Sequence, residues 1–348
     1  MISQVQIQGL GDQYLQDRLY RPNLLLESLT MTLAITDKQK NELNENGFTV
    51  LKNILSDSET DHLNKAMDEV ADKMREIRGL NRDESITLRN SVVYHEAILD
   101  LLDHPRILPL IVDVIGWNIQ NRDSLFDYKM PQPGNTDPNI LSLGWHFDYE
   151  SQFAGTTLDG RMPLLDFKVG WYVSDHSEPS HSTILFVPGS FKWTFEQRKD
   201  WQHWLKPNDI YELRVPAGSA MLWRPTLLHG VTPNLSKRAR KVLYFSYTPR
   251  WMRPSGYMEQ DSALIKRSSP IRRQLLGAMG DDGNPLGSDP VVHPVSQYWF
   301  SEDGDSVPLK AWAETYSDSK SHDWGLGLGS SSTRGEKDAY PDVNIIKR

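Results

Sequence analysis

Helical periodicity dominates the first third of the chain. A helix is predicted to begin after Thr36, because a threonine N-cap followed by polar and acidic residues is a helix-start signal, and to end at Asn46-Gly47. A short strand at 47–51 follows, and a second helix is predicted to begin at Ser56. Its apolar positions recur at spacings of 4, 3 and 4 residues, which places them on one face that we interpret as core: Leu63, Met67, Val70 and Met74.

The pattern changes after a third predicted helix, which spans 97–116. From about 118 to 250 the chain consists of short β-branched and aromatic runs, separated by clusters of Pro, Gly, Asn and Asp. Many short strands with this punctuation favour an antiparallel sandwich or barrel. The predicted strands are 124–130, 143–149, 166–174, 183–187, 210–215, 219–223 and 241–248.

Three regions follow from these patterns. Residues 1–32 carry little periodicity and are interpreted as an N-terminal extension, whereas residues 33–250 contain the helices and the β-rich domain. Residues 251–348 are interpreted as a C-terminal extension that is partly irregular, with a Gly/Ser-rich stretch at 325–335 that is typical of loosely ordered chain. We therefore expect a mainly β fold with flanking helices and an extended C-terminal region.

Composition narrows the chemistry that is available. The 348 residues include ten histidines and no cysteine, which excludes disulfides, thiolate zinc sites, iron–sulfur clusters and cysteine nucleophiles. A metal would have to be bound by His nitrogen and carboxylate oxygen, ligands that suit iron, manganese, copper or a catalytic zinc. With 38 basic and 46 acidic residues, the net charge of −8 argues against a nucleic-acid partner.

The sequence shows no targeting or membrane signal. Its first residues lack the basic region and apolar run of a secretory signal peptide. No stretch approaches the roughly 18 uninterrupted apolar residues of a membrane span. We therefore expect a cytoplasmic protein with no membrane partner, either a monomer or a homodimer.

The strongest chemical signal is the pair His146 and Asp148 in the segment GWHFD. The two residues are two positions apart on a predicted strand, so alternation places both side chains on one face. An imidazole and a carboxylate can supply two ligands to a divalent metal, and a second histidine would complete the 2-His-1-carboxylate set of non-haem iron(II) oxygenases. A surface His–Asp pair is the alternative, because this short pattern also arises by chance.

His229 and Arg240 extend this pattern. His229 ends an apolar run and precedes a turn rich in Gly, Pro and Asn, and Arg240 opens an apolar strand eleven residues later. A buried guanidinium suits a carboxylate, because its planar fork forms two charge-assisted hydrogen bonds. That carboxylate is either one of the protein's own or the distal end of a keto-acid cosubstrate.

Together these motifs resemble the phytanoyl-CoA dioxygenase family of iron(II)/2-oxoglutarate-dependent oxygenases over roughly residues 33–250. The resemblance implies a double-stranded β-helix, a cupin-like jelly roll, with N-terminal helices. It implies metal ligands at His146, Asp148 and His229, and 2-oxoglutarate binding by Arg240. The motifs that carry it are NGFTVL at 46–51, WHFD at 145–148, VPGS at 187–190, PAGS at 216–219, LHG at 228–230 and NLS at 234–236.

The resemblance also implies the reaction. Iron(II) is the expected cofactor, with 2-oxoglutarate as cosubstrate, O2 as oxidant and ascorbate as a stimulating reductant. An unactivated C–H bond of a small or mid-sized metabolite (a natural product, an amino acid or an acyl derivative) would be hydroxylated, with release of succinate and CO2. Related halogenases carry a small residue at the position of Asp148, so this carboxylate favours oxidation over halogenation.

Several positions depart from the family's pattern or extend it. Phe191 stands where a histidine often follows VPGS, and Val231 stands where some members place a hydroxyl for 2-oxoglutarate. Trp171 and Lys129 are further candidates for contact with 2-oxoglutarate, with core packing as the alternative for Trp171. Two other functions remain open: a cupin-type metalloenzyme that uses no 2-oxoglutarate, and a catalytically inactive binding module.

Overall fold

Within the computed structural model, the described residues are 35–132, 143–148, 163–179, 181–278, 308–309 and 312–313. The predicted extension 1–32 lies outside them, as does most of the chain beyond residue 278. None of the described helices is long and apolar enough to cross a membrane. They are α1 (Asp37–Glu45), α2 (Asp57–Arg78), α3 (Glu96–Leu99), α4 (Leu108–Ile115), α5 (Phe195–Lys199), α6 (Trp201–Trp204), α7 (Ser262–Arg267) and α8 (Pro270–Leu275).

The two predicted N-terminal helices are confirmed, together with the residues that begin them. Thr36 accepts a hydrogen bond from the Gln39 N–H, and Ser56 accepts one from the Glu59 N–H. The Gln39 and Glu59 side chains bond back to the cap residues, so each helix begins with a capping box. The predicted apolar face of α2 is buried, fully or in part: Leu63, Met67, Val70 and Met74.

Met67 offers a direct test of this packed face. Met67→Ala is expected to lower the free energy of unfolding by about 2–5 kcal/mol, because Met67 is fully buried and its truncation leaves a cavity. Urea denaturation measures this loss. Lys65→Ala, on the exposed face of the same helix, is the control and should stay within about 0.5 kcal/mol of wild type. Equal effects of the two substitutions would contradict the assignment of the face.

The third predicted helix is wrong as one continuous element. The chain forms α3 and α4 there, separated by turns over 100–107. Pro105 lies in this interruption, and a proline both lacks the N–H that a helix interior needs and disfavours helical backbone at the preceding residue. The His104 carbonyl accepts from the N–H groups of Ile107 and Leu108, at 2.9 Å each, where α4 begins.

The described strands form two antiparallel sheets. The larger has the order β1-β7-β4-β9-β3-β2, and the smaller has the order β6-β5-β8. The predicted strand 219–223 matches β7, but the predicted strand 143–149 is wrong, because within 143–148 only His146 forms a β-bridge. The strands are β1 (Phe48–Leu51), β2 (Ile86–Leu88), β3 (Ile119–Lys129), β4 (Phe167–Tyr172), β5 (Ile184–Phe186), β6 (Tyr211–Glu212), β7 (Ser219–Trp223), β8 (His229–Val231) and β9 (Arg240–Pro249).

An apolar interior lies between the two sheets. Tyr172, Trp223 and Val242 from the larger sheet pack with Ile184 and Phe186 from the smaller one. The opposite face of the larger sheet packs against α2, α4, α7 and α8. This arrangement confirms the expected double-stranded β-helix with flanking helices.

The chain just beyond β9 packs on the same domain. The Tyr257 hydroxyl donates to the Asn121 carbonyl at 2.9 Å, and the Gln274 side chain donates to the Ile119 carbonyl at 3.2 Å. Arg272 forms an ion pair with Asp103 at 2.6 Å. These contacts hold the segment that contains α7 and α8 against β3 and against the turn before α4.

Candidate metal centre

His146, Asp148 and His229 come together at the start of β8. His146 Nε2 lies 3.7 Å from Asp148 Oδ1, and His229 Nε2 lies 3.6 Å from Asp148 Oδ2. One ligand atom from each residue lies within 4.8 Å of the other two. Two imidazoles and a carboxylate at this spacing can bind one divalent ion on a single face and leave its other positions open.

Backbone pairing fixes the two histidines relative to each other. The His146 N–H donates to the His229 carbonyl at 2.9 Å, and the His229 N–H donates to the His146 carbonyl at 3.0 Å. Their ring centroids are 4.2 Å apart. The Asp148 N–H donates to the Pro225 carbonyl at 3.0 Å, which attaches the third residue to the turn before β8.

Each imidazole uses Nδ1 to hold its orientation. His146 Nδ1 lies 2.9 Å from the Gly144 carbonyl oxygen, and His229 Nδ1 lies 2.9 Å from the Leu227 carbonyl oxygen. A ring nitrogen that donates to a carbonyl carries the proton, so the other nitrogen keeps its lone pair. Both Nε2 atoms are therefore available as metal ligands.

Gly230 follows His229 at a place where another segment passes close to the backbone. A Cβ at this position would lie 3.1 Å from the Leu143 carbonyl oxygen and 3.3 Å from the Trp145 ring. The missing side chain lets the segment that carries His146 approach β8 closely enough for the bridge to form.

The protonation states of the cluster suit a metal site at neutral pH. Burial by itself would raise the pKa of Asp148, but Lys168 and the two histidines lower it to about 2. Burial lowers the pKa of His229 to about 4, against the opposing effect of Asp148. At pH 7 the Asp148 carboxylate is therefore anionic and the His229 imidazole is neutral, which are the forms that bind a metal.

Lys168 is a neighbour of the cluster that the sequence interpretation missed. It lies on β4, and its Nζ donates to Asp148 Oδ2 at 2.6 Å. Nζ also lies 5.1 Å from the centre of the Trp223 ring, which in turn packs 4.9 Å from the His229 ring. A lysine within the otherwise apolar strand FKVGWY is the signal that identifies it.

Arg240 is buried at the start of β9 and pairs with one of the protein's own carboxylates. Its guanidinium forms an ion pair with Asp127, and Nη2 donates to the Tyr244 hydroxyl at 2.6 Å. Burial would lower the pKa of Arg240, but Tyr244 and Asp127 raise it, so the side chain stays cationic. The Nε–H is buried without a hydrogen-bond partner among the described residues, so the guanidinium keeps an unused donor for a further acceptor.

Arg240 and Lys168 point to the same side of the larger sheet. Arg240, Tyr244 and Ser246 share one face of β9, because alternate residues of a strand face the same way. Ser246 is opposite Lys168 in the register of β9 and β4, and directly opposed residues extend from the same face. The arginine and the cluster around Asp148 therefore share the interior face of the sheet.

Lys129 lies beside Arg240 rather than beside the three clustered residues. It is opposite Arg240 in the register of β3 and β9. Its Nζ lies 3.3 Å from Asp127 Oδ1 and donates to the Thr87 hydroxyl at 3.1 Å. Lys129 thus adds a second cation to the carboxylate that pairs with Arg240.

Trp171 lies on the opposite face of β4 from Lys168. It is fully buried among the residues that face the helices, and its ring lies 5.2 Å from that of His104. The structure therefore does not bring Trp171 together with the metal candidates. Its position agrees with the alternative interpretation, which was core packing.

A jelly roll that gathers two histidines and one aspartate defines the class of non-haem iron(II) oxygenases. The sequence model of the phytanoyl-CoA dioxygenase (PhyH) family matches residues 43–242. The match covers more than half of the chain and contains all three clustered residues as well as Arg240, so the chain belongs to this family. The resemblance given by the motifs is thereby confirmed.

Curated relatives and a solved structure show similar coverage at low identity. The chain is 24% identical over 263 residues to the probable alpha-ketoglutarate-dependent hypophosphite dioxygenase of Stutzerimonas stutzeri, covering 70% of this chain and 80% of that one. It is 22% identical over 236 residues to the peroxisomal phytanoyl-CoA dioxygenase of Bos taurus, covering 59% and 66%. HygX from Streptomyces hygroscopicus, solved with nickel and 2-oxoglutarate bound, is 17% identical, with coverage of 66% and 97% and a TM-score of 0.49.

The protein is accordingly an iron(II)/2-oxoglutarate-dependent dioxygenase of this family, with iron(II) as cofactor and 2-oxoglutarate as cosubstrate. Its residues fit both groups. Two imidazoles and a carboxylate form the ligand set that iron(II) takes in such enzymes. The buried, unpartnered Nε–H of Arg240 can donate to an additional carboxylate. These features favour the dioxygenase over the cupin-type and inactive alternatives.

Proposed function

We propose that this dioxygenase hydroxylates an unactivated C–H bond of a small or mid-sized metabolite and releases succinate and CO2. The observation that supports the proposal most strongly is the intact cluster of His146, Asp148 and His229, whose ligand atoms all lie within 4.8 Å of one another. Because an aspartate occupies the third position, no place is left there for a halide, and oxidation is favoured over halogenation.

The three clustered residues would hold the iron on one face. His146 and His229 would supply Nε2 donors whose orientation is set by hydrogen bonds from Nδ1 to backbone carbonyls, and Asp148 would supply the single negative charge. Bound iron(II) with 2-oxoglutarate and O2 would supply the oxidising power for C–H cleavage. The protein would bind and orient the substrate and exclude side reactions.

Arg240 would bind the distal carboxylate of 2-oxoglutarate. Its guanidinium is buried and cationic, its Nε–H has no hydrogen-bond partner in the described part of the chain, and it shares the interior face of the sheet with the metal candidates. Asp127 neutralises the positive charge of Arg240. Lys129 lies 3.3 Å from Asp127 and gives these three residues together a net positive charge. An incoming carboxylate would then leave this group of residues electrically neutral, which reduces the cost of burying it.

The substrate class rests on the sequence. The segment 151–163 has only two charged residues, Asp159 and Arg161, whose charges cancel. The several phosphates of an acyl-CoA would call for a basic patch, so a substrate without coenzyme A is favoured. The named relatives act on molecules as unlike as hypophosphite and phytanoyl-CoA, so their names do not fix the substrate of this chain.

An untargeted assay tests the proposal. The purified protein is incubated with iron(II), ascorbate, 2-oxoglutarate and a metabolite extract, and the extract is compared by mass spectrometry before and after the reaction. We expect succinate formation that depends on the extract, together with a product that is heavier by one oxygen atom. The Asp148→Ala protein is the control. A product that has gained a halogen or only lost hydrogen would contradict hydroxylation.

A further inference from the structure

Lys168 is placed where a lysine is costly to bury. The strand that carries it, β4, reads FKVGWY, and the Lys168 side chain is only 14% exposed. A buried ammonium group destabilises a fold unless it is paired. Its partner is Asp148, at 2.6 Å, so the pair belongs to the metal candidates and is more than a solvent-exposed surface contact.

The contact occupies one particular oxygen of Asp148. Lys168 donates to Oδ2, which also lies 3.6 Å from His229 Nε2, whereas Oδ1 faces His146 Nε2 at 3.7 Å. A carboxylate can bind a metal through one oxygen or through both. A hydrogen bond from a cation to one oxygen opposes binding through both, because the metal and the ammonium group would compete for the same lone pairs.

The number of ligand atoms matters for the cosubstrate. Two histidines and a carboxylate bound through one oxygen take half the positions of an octahedral ion, and the rest are open to 2-oxoglutarate and O2. If Asp148 bound through both oxygens, only two positions would remain; 2-oxoglutarate alone would fill them, and none would be left for O2. Charge points the same way, because the positive charge of Lys168 makes the site more favourable for the 2-oxoglutarate dianion.

We propose that Lys168 is a positioning residue that restricts Asp148 to one oxygen at the metal and thereby keeps enough positions open for 2-oxoglutarate and O2 together. This inference rests on the proposed role of Asp148 as a ligand. It predicts opposite effects on the two ligands. Without the lysine, Asp148 is free to bind the metal with both oxygens, so iron(II) binding is retained or tightened. Binding of the 2-oxoglutarate dianion weakens, because the site has lost a positive charge and the metal has fewer open positions.

The experiment compares wild type with Lys168→Met and Lys168→Arg under anaerobic conditions. Iron(II) affinity is measured by equilibrium dialysis, and 2-oxoglutarate affinity by the visible charge-transfer absorption of its complex with the iron-loaded protein. Lys168→Met is expected to bind iron at least as tightly as wild type and 2-oxoglutarate about tenfold more weakly. Lys168→Arg keeps a cationic donor and should restore 2-oxoglutarate binding.

Lys241→Met is the matched control. Lys241 lies on the neighbouring strand β9, is 12% exposed, and pairs with Asp68 at 2.8 Å, so its loss removes a similar ion pair away from Asp148. It should change neither affinity. A parallel loss of iron and 2-oxoglutarate in Lys168→Met, or an unchanged 2-oxoglutarate affinity, would overturn the role of Lys168. Absence of the absorption in wild type would instead count against the metal site itself.

Discussion

Asp148→Ala is expected to abolish oxidation of the substrate. The substitution removes the only carboxylate of the cluster and leaves two imidazoles, which cannot hold the ion in a three-ligand face. Succinate formation and the iron content after anaerobic reconstitution measure the effect. Near wild-type values of both would contradict the assignment of Asp148 as a metal ligand.

The same substitution leaves Lys168 without its carboxylate partner. The resulting loss of stability must be separated from the loss of the metal ligand. Removing one partner of a buried pair is expected to cost about 3 kcal/mol of unfolding free energy. The double variant Asp148→Ala/Lys168→Met removes both charges and should regain much of this stability while staying inactive. If the double variant regained activity together with stability, the loss in the single variant would be one of folding.

Arg240→Ala is expected to weaken 2-oxoglutarate binding by about 2–5 kcal/mol, the cost of removing one partner of a buried charge pair. The reason is the buried Nε–H of the guanidinium, which has no hydrogen-bond partner among the residues that the structure describes. Titration of 2-oxoglutarate into the iron-loaded protein measures the change. Iron affinity itself should be little altered.

Arg238→Ala provides the matched control. Arg238 is 64% exposed and lies 3.7 Å from Asp175, so it is a neighbouring arginine whose side chain is mostly in solvent. Its removal should leave 2-oxoglutarate affinity unchanged. Loss of Arg240 leaves Asp127 with Lys129 still 3.3 Å away, which limits the damage to folding. Equal affinities in wild type and Arg240→Ala would refute the role of Arg240.

Local signals in the sequence predicted much of the fold. The caps Thr36 and Ser56 marked two helices because a side chain that accepts the first free N–H groups has a strong preference for that position. The strand 219–223 was predictable from its apolar run between turns. The prediction of one helix over 97–116 was wrong because it followed the apolar spacing and gave too little weight to Pro105. The effect of this proline on the backbone divides the segment into α3 and α4.

The candidate ligands could be predicted because their chemistry is unusual in the places where they occur. His146 and Asp148 stood out by their spacing, and Arg240 stood out as a cation that opens an apolar strand. Lys168 carries the same kind of signal in β4, but the long segment before that strand obscured which residues face inward. No spacing in the sequence revealed that Asp127 would be the partner of Arg240, since the two are 113 positions apart.

The position of Trp171 shows a further limit. Strand β4 is buried on both faces, as its burial pattern shows, so hydrophobic alternation cannot say which residues point into the jelly roll. A shift of one residue in register exchanges the two faces completely. Only the pairing of Lys168 with Ser246 and Trp223 decides that Lys168, and not Trp171, faces the metal candidates.

The reciprocal hydrogen bonds between His146 and His229 make metal uptake an indicator of correct chain alignment. The two residues are 83 positions apart in sequence, and the strands from β4 to β7 lie between them. A slip of one residue in this bridge would turn one imidazole away from the other. An ion that requires both nitrogens is therefore retained by correctly aligned chains, and metal content can serve as a measure of the fraction of a preparation that has folded properly.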